Sequence, residues 1–156
     1  MYRTMYGTLG VGLAAPQVGI PWRLSVIDMQ DGKLVNDGKL ILINPEIVET
    51  YAGETKPGTE SCLSIPFYTA KVPRFQKIKV KNHRLDNTEE YIEAEDFFAR
   101  VIQHEMDHLN GQVYLDRITN TDIQPEPGAH ITSYARRAVS KLMVHNTIKE
   151  VLEGMA

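Results

Sequence analysis

Gln103-His104-Glu105-Met106-Asp107-His108 is the stretch on which the reading of this chain turns. Around it Phe97, Phe98, Val101, Ile102, Met106 and Leu109 recur near helical spacing from about Asp96, and Asn110-Gly111 supplies a stop. Four residues along a helix rise about 6 Å and turn about 400°. His104 and His108 therefore share one face, where two imidazoles can bind one metal ion. Glu105 then lies beside the ion as a general base rather than a ligand. Two histidines do not close a tetrahedral site, so a third protein ligand must come from elsewhere. A plainer reading leaves His104 on an exposed face, paired with Asp107 or with water. Apolar Ile102 and Met106 on nearby faces count against it.

The third ligand separates the enzyme classes. A run extended as His-x-x-Gly-x-x-His would mark one group of zinc proteases. Here Gly111 fits that pattern, but Tyr114 stands where the third histidine should be. Another group takes a downstream glutamate, and none of Asp116, Asp122, Glu126, Glu150 and Glu153 sits in a second ligand motif. Cys62, the only cysteine, lies upstream in Glu60-Ser61-Cys62-Leu63-Ser64 and is the better candidate. A Cys-His-His set leaves the fourth position open, as a catalytic site requires. By composition alone a lone thiol is more often a small buried hydrophobe.

The remaining composition sets bounds. With 156 residues, 42% hydrophobic and 24% charged, the chain reads as one globular domain able to bury a core. A net charge of −3 argues against a general electrostatic grip on nucleic acid. No apolar run reaches the length of a membrane span and no leader-like segment opens the chain, so neither membrane nor export is expected. A single cysteine forms no internal disulfide, in keeping with a reducing cytosol.

Before the helix the pattern is that of strands. Arg23–Asp28, Leu40–Ile43 and Glu46–Tyr51 read as three, and Lys77-Ile78-Lys79-Val80-Lys81 alternates as a half-buried antiparallel strand does. Asp86-Asn87 makes a turn, and Glu90–Glu93 pairs back as a hairpin. Met1–Gly10 reads as the last turn of a helix followed by a glycine loop, and Gln124–Gly128 as a loop. A second helix is expected over Ser133–Leu152, within a C-terminal segment 130–156. The fold class is α+β: antiparallel strands packed around a central metal-binding helix, with a C-terminal helix.

Three segments together resemble the peptide deformylases, in that family's order and approximate spacing. They are Gly10-Val11-Gly12-Leu13-Ala14-Ala15-Pro16-Gln17, Glu60-Ser61-Cys62-Leu63-Ser64 and Gln103-His104-Glu105-Met106-Asp107-His108. The resemblance implies that Cys62, His104 and His108 bind one divalent metal, Fe²⁺ in preference, with Zn²⁺, Ni²⁺ or Co²⁺ as substitutes. It implies that Glu105 moves the proton from the attacking water to the departing amine. The Gln17 side chain and the Leu63 backbone N–H would hold the oxyanion together with the metal. The substrate would be an N-formylmethionyl nascent peptide, and the products formate and a free N-terminal methionine. Val11, Leu63, Val101 and His104 would border the pocket for the methionine side chain, with Gly12 offering backbone hydrogen bonds to the peptide. For Val11 and Val101 plain core packing competes with that role. The alternatives to a deformylase are a His-Glu-x-x-His zinc endopeptidase and a non-catalytic module that binds formylated N-termini.

Two positions depart from the family pattern. Ser61 stands where the second motif usually has glycine, which would strain a turn requiring positive φ. Arg100 stands where an apolar residue is common, and an outward, solvated side chain is the simpler expectation. Only nine residues precede Gly10, so the N-terminal helix reads as shortened. In this family a C-terminal helix can dock on the ribosome near the nascent-chain exit. Arg136, Arg137, Lys141 and Lys149 against Glu150 and Glu153 permit that, although a solvated face covering the core accounts for them as well. The location implied is the cytoplasm of a bacterium or of a virus's host, with an organellar origin left open.

Overall fold

A computed structural model of the protein describes residues 1–30, 39–51, 53, 55–118 and 123–125. The expected C-terminal helix lies outside the described residues. In chain order come α1 (Tyr2–Gly7), β1 (Gly12–Ala14), a 3₁₀ turn (Ala15–Val18), β2 (Leu24–Asp28), β3 (Lys39–Ile43) and β4 (Glu46–Thr50). Then follow β5 (Thr55–Cys62), β6 (Ile65–Phe75), β7 (Lys77–His83), β8 (Glu89–Glu95), α2 (Asp96–Leu109), a 3₁₀ turn (Tyr114–Arg117) and β9 (Ile123–Pro125). Contacts divide the chain into two compact units, one of Met1–Lys56 with Arg74–Gln112, the other of Pro57–Pro73 with the chain from Val113.

The first unit holds two antiparallel three-stranded sheets, β1-β2-β3 and β4-β7-β8. β7 keeps the predicted alternation: Ile78, Val80 and Asn82 are buried, while Lys77 and Lys81 at the alternate positions pair with Glu95 and Glu89 of β8. The Asp86-Asn87 turn also forms, with Asn87 at φ 66° and the Arg84 N–H donating to the Thr88 carbonyl. α2 lies against these sheets, and Ala99, Val101, Ile102 and Met106 share one core with Ile27, Leu42, Ile78, Val80 and Ala94. Asn110 and Gly111 (φ 72°) end it as expected.

Asn82 ties the two sheets together. Fully buried on β7, it accepts from the Ile43 N–H at 2.7 Å and donates to the Ile41 carbonyl at 3.0 Å and to Glu90 at 2.8 Å. A polar group this deep is tolerated because its acceptor and both its donors are engaged.

The second unit contains most of β5 and β6, with β9 paired to β6. Its core is Cys62, Ile65, Tyr68, Ala70, Val72, Tyr114 and Leu115. Sequence periodicity did not predict β5 or β6. Pro57, Pro66 and Pro73 interrupt the propensity there, yet Tyr68, Ala70, Val72 and Arg74 are buried at alternate positions of β6 as strand geometry demands. Gln124 and Pro125, read as loop, pair with Thr69 and Tyr68 as part of β9. An edge strand can accept that proline because its missing N–H faces away from the ladder.

Candidate active site

Helix α2 presents the metal-binding pattern on a rigid element held at several points. Arg23 caps its C-terminus, donating to the Leu109 carbonyl at 3.2 Å and to Asn110 Oδ1 at 2.7 Å, where a cation also complements the helix dipole. Gln103 accepts from the Phe75 N–H at 3.1 Å and donates to the Phe75 carbonyl at 2.9 Å and the Ala99 carbonyl at 3.0 Å. Asp107 accepts from the Arg74 guanidinium at 2.6 Å, with both side chains buried. The residue before His104 and the residue before His108 are thus both anchored, which limits the rotation of the helix about its axis. Asp107, the residue named in the plainer reading of His104, is thus engaged by Arg74.

His104 and His108 meet with ring centroids 5.0 Å apart and planes at 79°, as their spacing predicts. Cys62 joins them: one potential ligand atom from each of Cys62, His104 and His108 lies within 4.8 Å of the other two. One thiol and two imidazoles suit a borderline or soft divalent ion better than a hard oxygen-seeking one. Tyr114, at the place of a third histidine in the alternative pattern, is fully buried and donates its hydroxyl to the Tyr68 carbonyl at 3.1 Å.

Glu105 is 4% exposed, and its carboxyl packs against Gly12 of β1. Gln17 accepts from the Ala14 N–H through Oε1 at 2.8 Å. That bond sets the orientation of the amide, with its NH₂ group at the opposite end from Ala14. Leu63 follows β5, 40% exposed. Val101 lies in the core of the first unit, and half-buried Val11 packs against that core.

The two departures resolve differently. Ser61 lies in extended β5 and does not take a positive φ, so serine there costs no backbone strain. Arg100 overturns the expectation of an outward charge: it is 7% exposed and donates to the Lys56 carbonyl at 2.8 Å. The guanidinium thus satisfies a backbone carbonyl near the start of β5. Arg74 and Gln103, which hold the helix, were not singled out from sequence. The one available signal was a charged residue at an inward position of an alternating strand.

A sequence model of the family described as polypeptide deformylase matches residues 1–124. A peptide deformylase of Symbiobacterium thermophilum is 48% identical over 129 residues, 82% of this chain and 57% of that protein. One from Halothermothrix orenii is 47% identical over 118 residues, 76% of this chain and 73% of that protein. Among solved structures, a peptide deformylase from Synechococcus elongatus in complex with actinonin superposes with TM-score 0.69 and 43% identity, over 78% of this chain and 63% of that one. The Thermotoga maritima peptide deformylase gives 0.68 and 45%, over 77% of each chain. The chain thus spans little more than half the length of the first of these relatives and about three quarters of others.

Proposed function

The chain belongs to the polypeptide deformylase family, and from that premise we propose that it hydrolyses the N-formyl group of N-formylmethionyl peptides. The observation that carries this reading is the set Cys62, His104 and His108, a donor chemistry suited to one divalent ion with a coordination position left over. Such an ion, Fe²⁺ in preference, supplies Lewis acidity toward the formyl carbonyl and toward water. The residues do the rest. Glu105, enclosed next to the ligands, takes a proton from the attacking water as its oxygen bonds to the formyl carbon. When the carbon–nitrogen bond breaks, the same carboxyl returns the proton to the amine. The Gln17 amide, oriented through Ala14, and the Leu63 N–H donate to the oxygen on which charge develops. Val11, Gly12 and Val101 would border the site for the methionine. The substrate is a nascent chain, so the reading implies a cytosolic protein working close to the ribosome exit.

The test is formate release from a formyl-Met tripeptide by anaerobically prepared protein loaded with Fe²⁺ or Ni²⁺. Release should vanish together with bound metal in Cys62→Ala, and vanish with metal retained in Glu105→Ala. An endopeptidase that does not use Cys62 would keep its metal in the first variant. A binding module would keep its affinity for formylated peptide in the second. No release from folded, metal-loaded protein would overturn the proposal.

A further inference from the structure

Gly12 is glycine for a reason other than its backbone. It opens β1 opposite Ile27, and its φ lies outside the left-handed region that Gly19, Gly53 and Gly111 occupy. Any residue could adopt that conformation. What excludes a side chain is Glu105: the three atoms nearest to a Cβ built at position 12 all belong to its side chain, with Cδ at 2.7 Å and Cγ at 3.0 Å. Carbon atoms do not approach a carboxyl group that closely. Glu105 is itself only 4% exposed, so little solvent-facing room remains for its side chain to swing into. A methyl group at position 12 and the carboxylate of Glu105 compete for one volume.

We propose that Gly12 is a positioning residue, whose missing side chain creates the niche that holds the Glu105 carboxylate beside His104 and His108. This rests on the deformylase reading for its catalytic consequence, but the contact itself does not. The proposed peptide hydrogen bonds of Gly12 use backbone atoms, which alanine would keep. Gly12→Ala should therefore leave KM nearly unchanged and lower kcat, because the proton-carrying group is displaced while the strand stays. Misplacing a catalytic group by about 1 Å costs on the order of 10²-fold in rate.

A double-mutant cycle tests this with two readouts on the metal-loaded protein. In the first, Gly12→Ala is made alone and together with Glu105→Asp, whose carboxylate is one methylene shorter. The expected result is a kcat penalty for alanine that is several-fold smaller in the aspartate background, with KM level throughout. The second readout is melting temperature in the presence and absence of Glu105→Ala. Alanine should lower Tm while the glutamate is present and raise it once the glutamate is gone, since alanine restricts the unfolded chain more than glycine. Equal Tm shifts in both backgrounds would overturn the contact. A change confined to KM, or equal kcat penalties in both backgrounds, would overturn the positioning role. If the wild-type protein releases no formate, the deformylase reading falls, and the melting cycle still decides whether Gly12 holds Glu105.

Discussion

The Arg74 guanidinium meets the Asp107 carboxylate at 2.6 Å, with the two side chains only 3% and 4% exposed. One partner is the penultimate residue of strand β6 and the other occupies the turn of α2 between the two histidines. Breaking a buried pair by removing one member strands the other charge, which typically costs about 3–5 kcal/mol. Asp107→Ala should lower the urea-unfolding free energy by that order and weaken metal retention, because His108 is the next residue. Full stability with unaltered metal affinity would show that the pair does not anchor the helix.

Gln17 can be separated into its two functions. Its Oε1 accepts from the Ala14 N–H, while its NH₂ is the proposed donor to the oxyanion. Gln17→Glu keeps an acceptor for Ala14 and removes the donor. The expected outcome is an unchanged melting temperature with kcat for formyl-Met tripeptide down about 10²–10³-fold, the usual cost of one lost oxyanion donor. A variant with normal kcat would remove Gln17 from the mechanism.

Asn82 should be sensitive to truncation. Asn82→Ala strips partners from the Ile43 N–H and the Ile41 carbonyl at once, each a buried backbone group. A stranded buried polar group costs roughly 1–3 kcal/mol. Chemical denaturation should show a loss of at least that order, and hydrogen exchange at Ile43 should accelerate. A loss below about 0.5 kcal/mol, the range of ordinary surface changes, would mean that water replaces the amide.

The pH dependence of stability has an identifiable contributor in Tyr6 and Asp28, hydrogen-bonded at 2.5 Å. The bond to Asp28 pushes the Tyr6 hydroxyl up from its ordinary 10.0 to about 12, with burial adding to the shift. Chiefly the same bond holds the Asp28 carboxyl below its ordinary 3.8. Folding favours protonated Tyr6, so its contribution is complete below pH 10 and is lost as pH rises toward 12. Folding also favours ionised Asp28, whose contribution is complete above pH 3.8 and is lost as pH falls through the lowered value. Tyr6→Phe should lower the plateau between those limits, shrink the alkaline limb to what Tyr2, Tyr51, Lys77 and Lys81 contribute, and begin acid unfolding at higher pH. Superimposable pH–stability curves for the two proteins would exclude the pair as a determinant.

Much of the first unit was legible because its signals are local. The period-2 pattern of Lys77–Lys81, the Asp86-Asn87 turn and the helical period from Asp96 each lie within a few residues. The structure reproduces them as β7, the β7–β8 turn and α2. β5 and β6 were not legible, because their prolines mask a strand whose pairing partners lie elsewhere in the chain. Arg100 misled for a related reason: a charged residue on a helix reads as solvated until the Lys56 carbonyl that it satisfies is in view.

By itself, then, the sequence determined that His104 and His108 share a face with Glu105 between them, since helix geometry follows from backbone hydrogen bonds four residues apart. Motif order was enough to nominate Cys62 and Gln17. Tertiary structure alone decided that Cys62 comes within reach of the histidines, that Arg74 pairs with Asp107, and that Gly12 yields its volume to Glu105. Those relations join residues tens of positions apart. They depend on strand pairing and core packing, which no local period encodes.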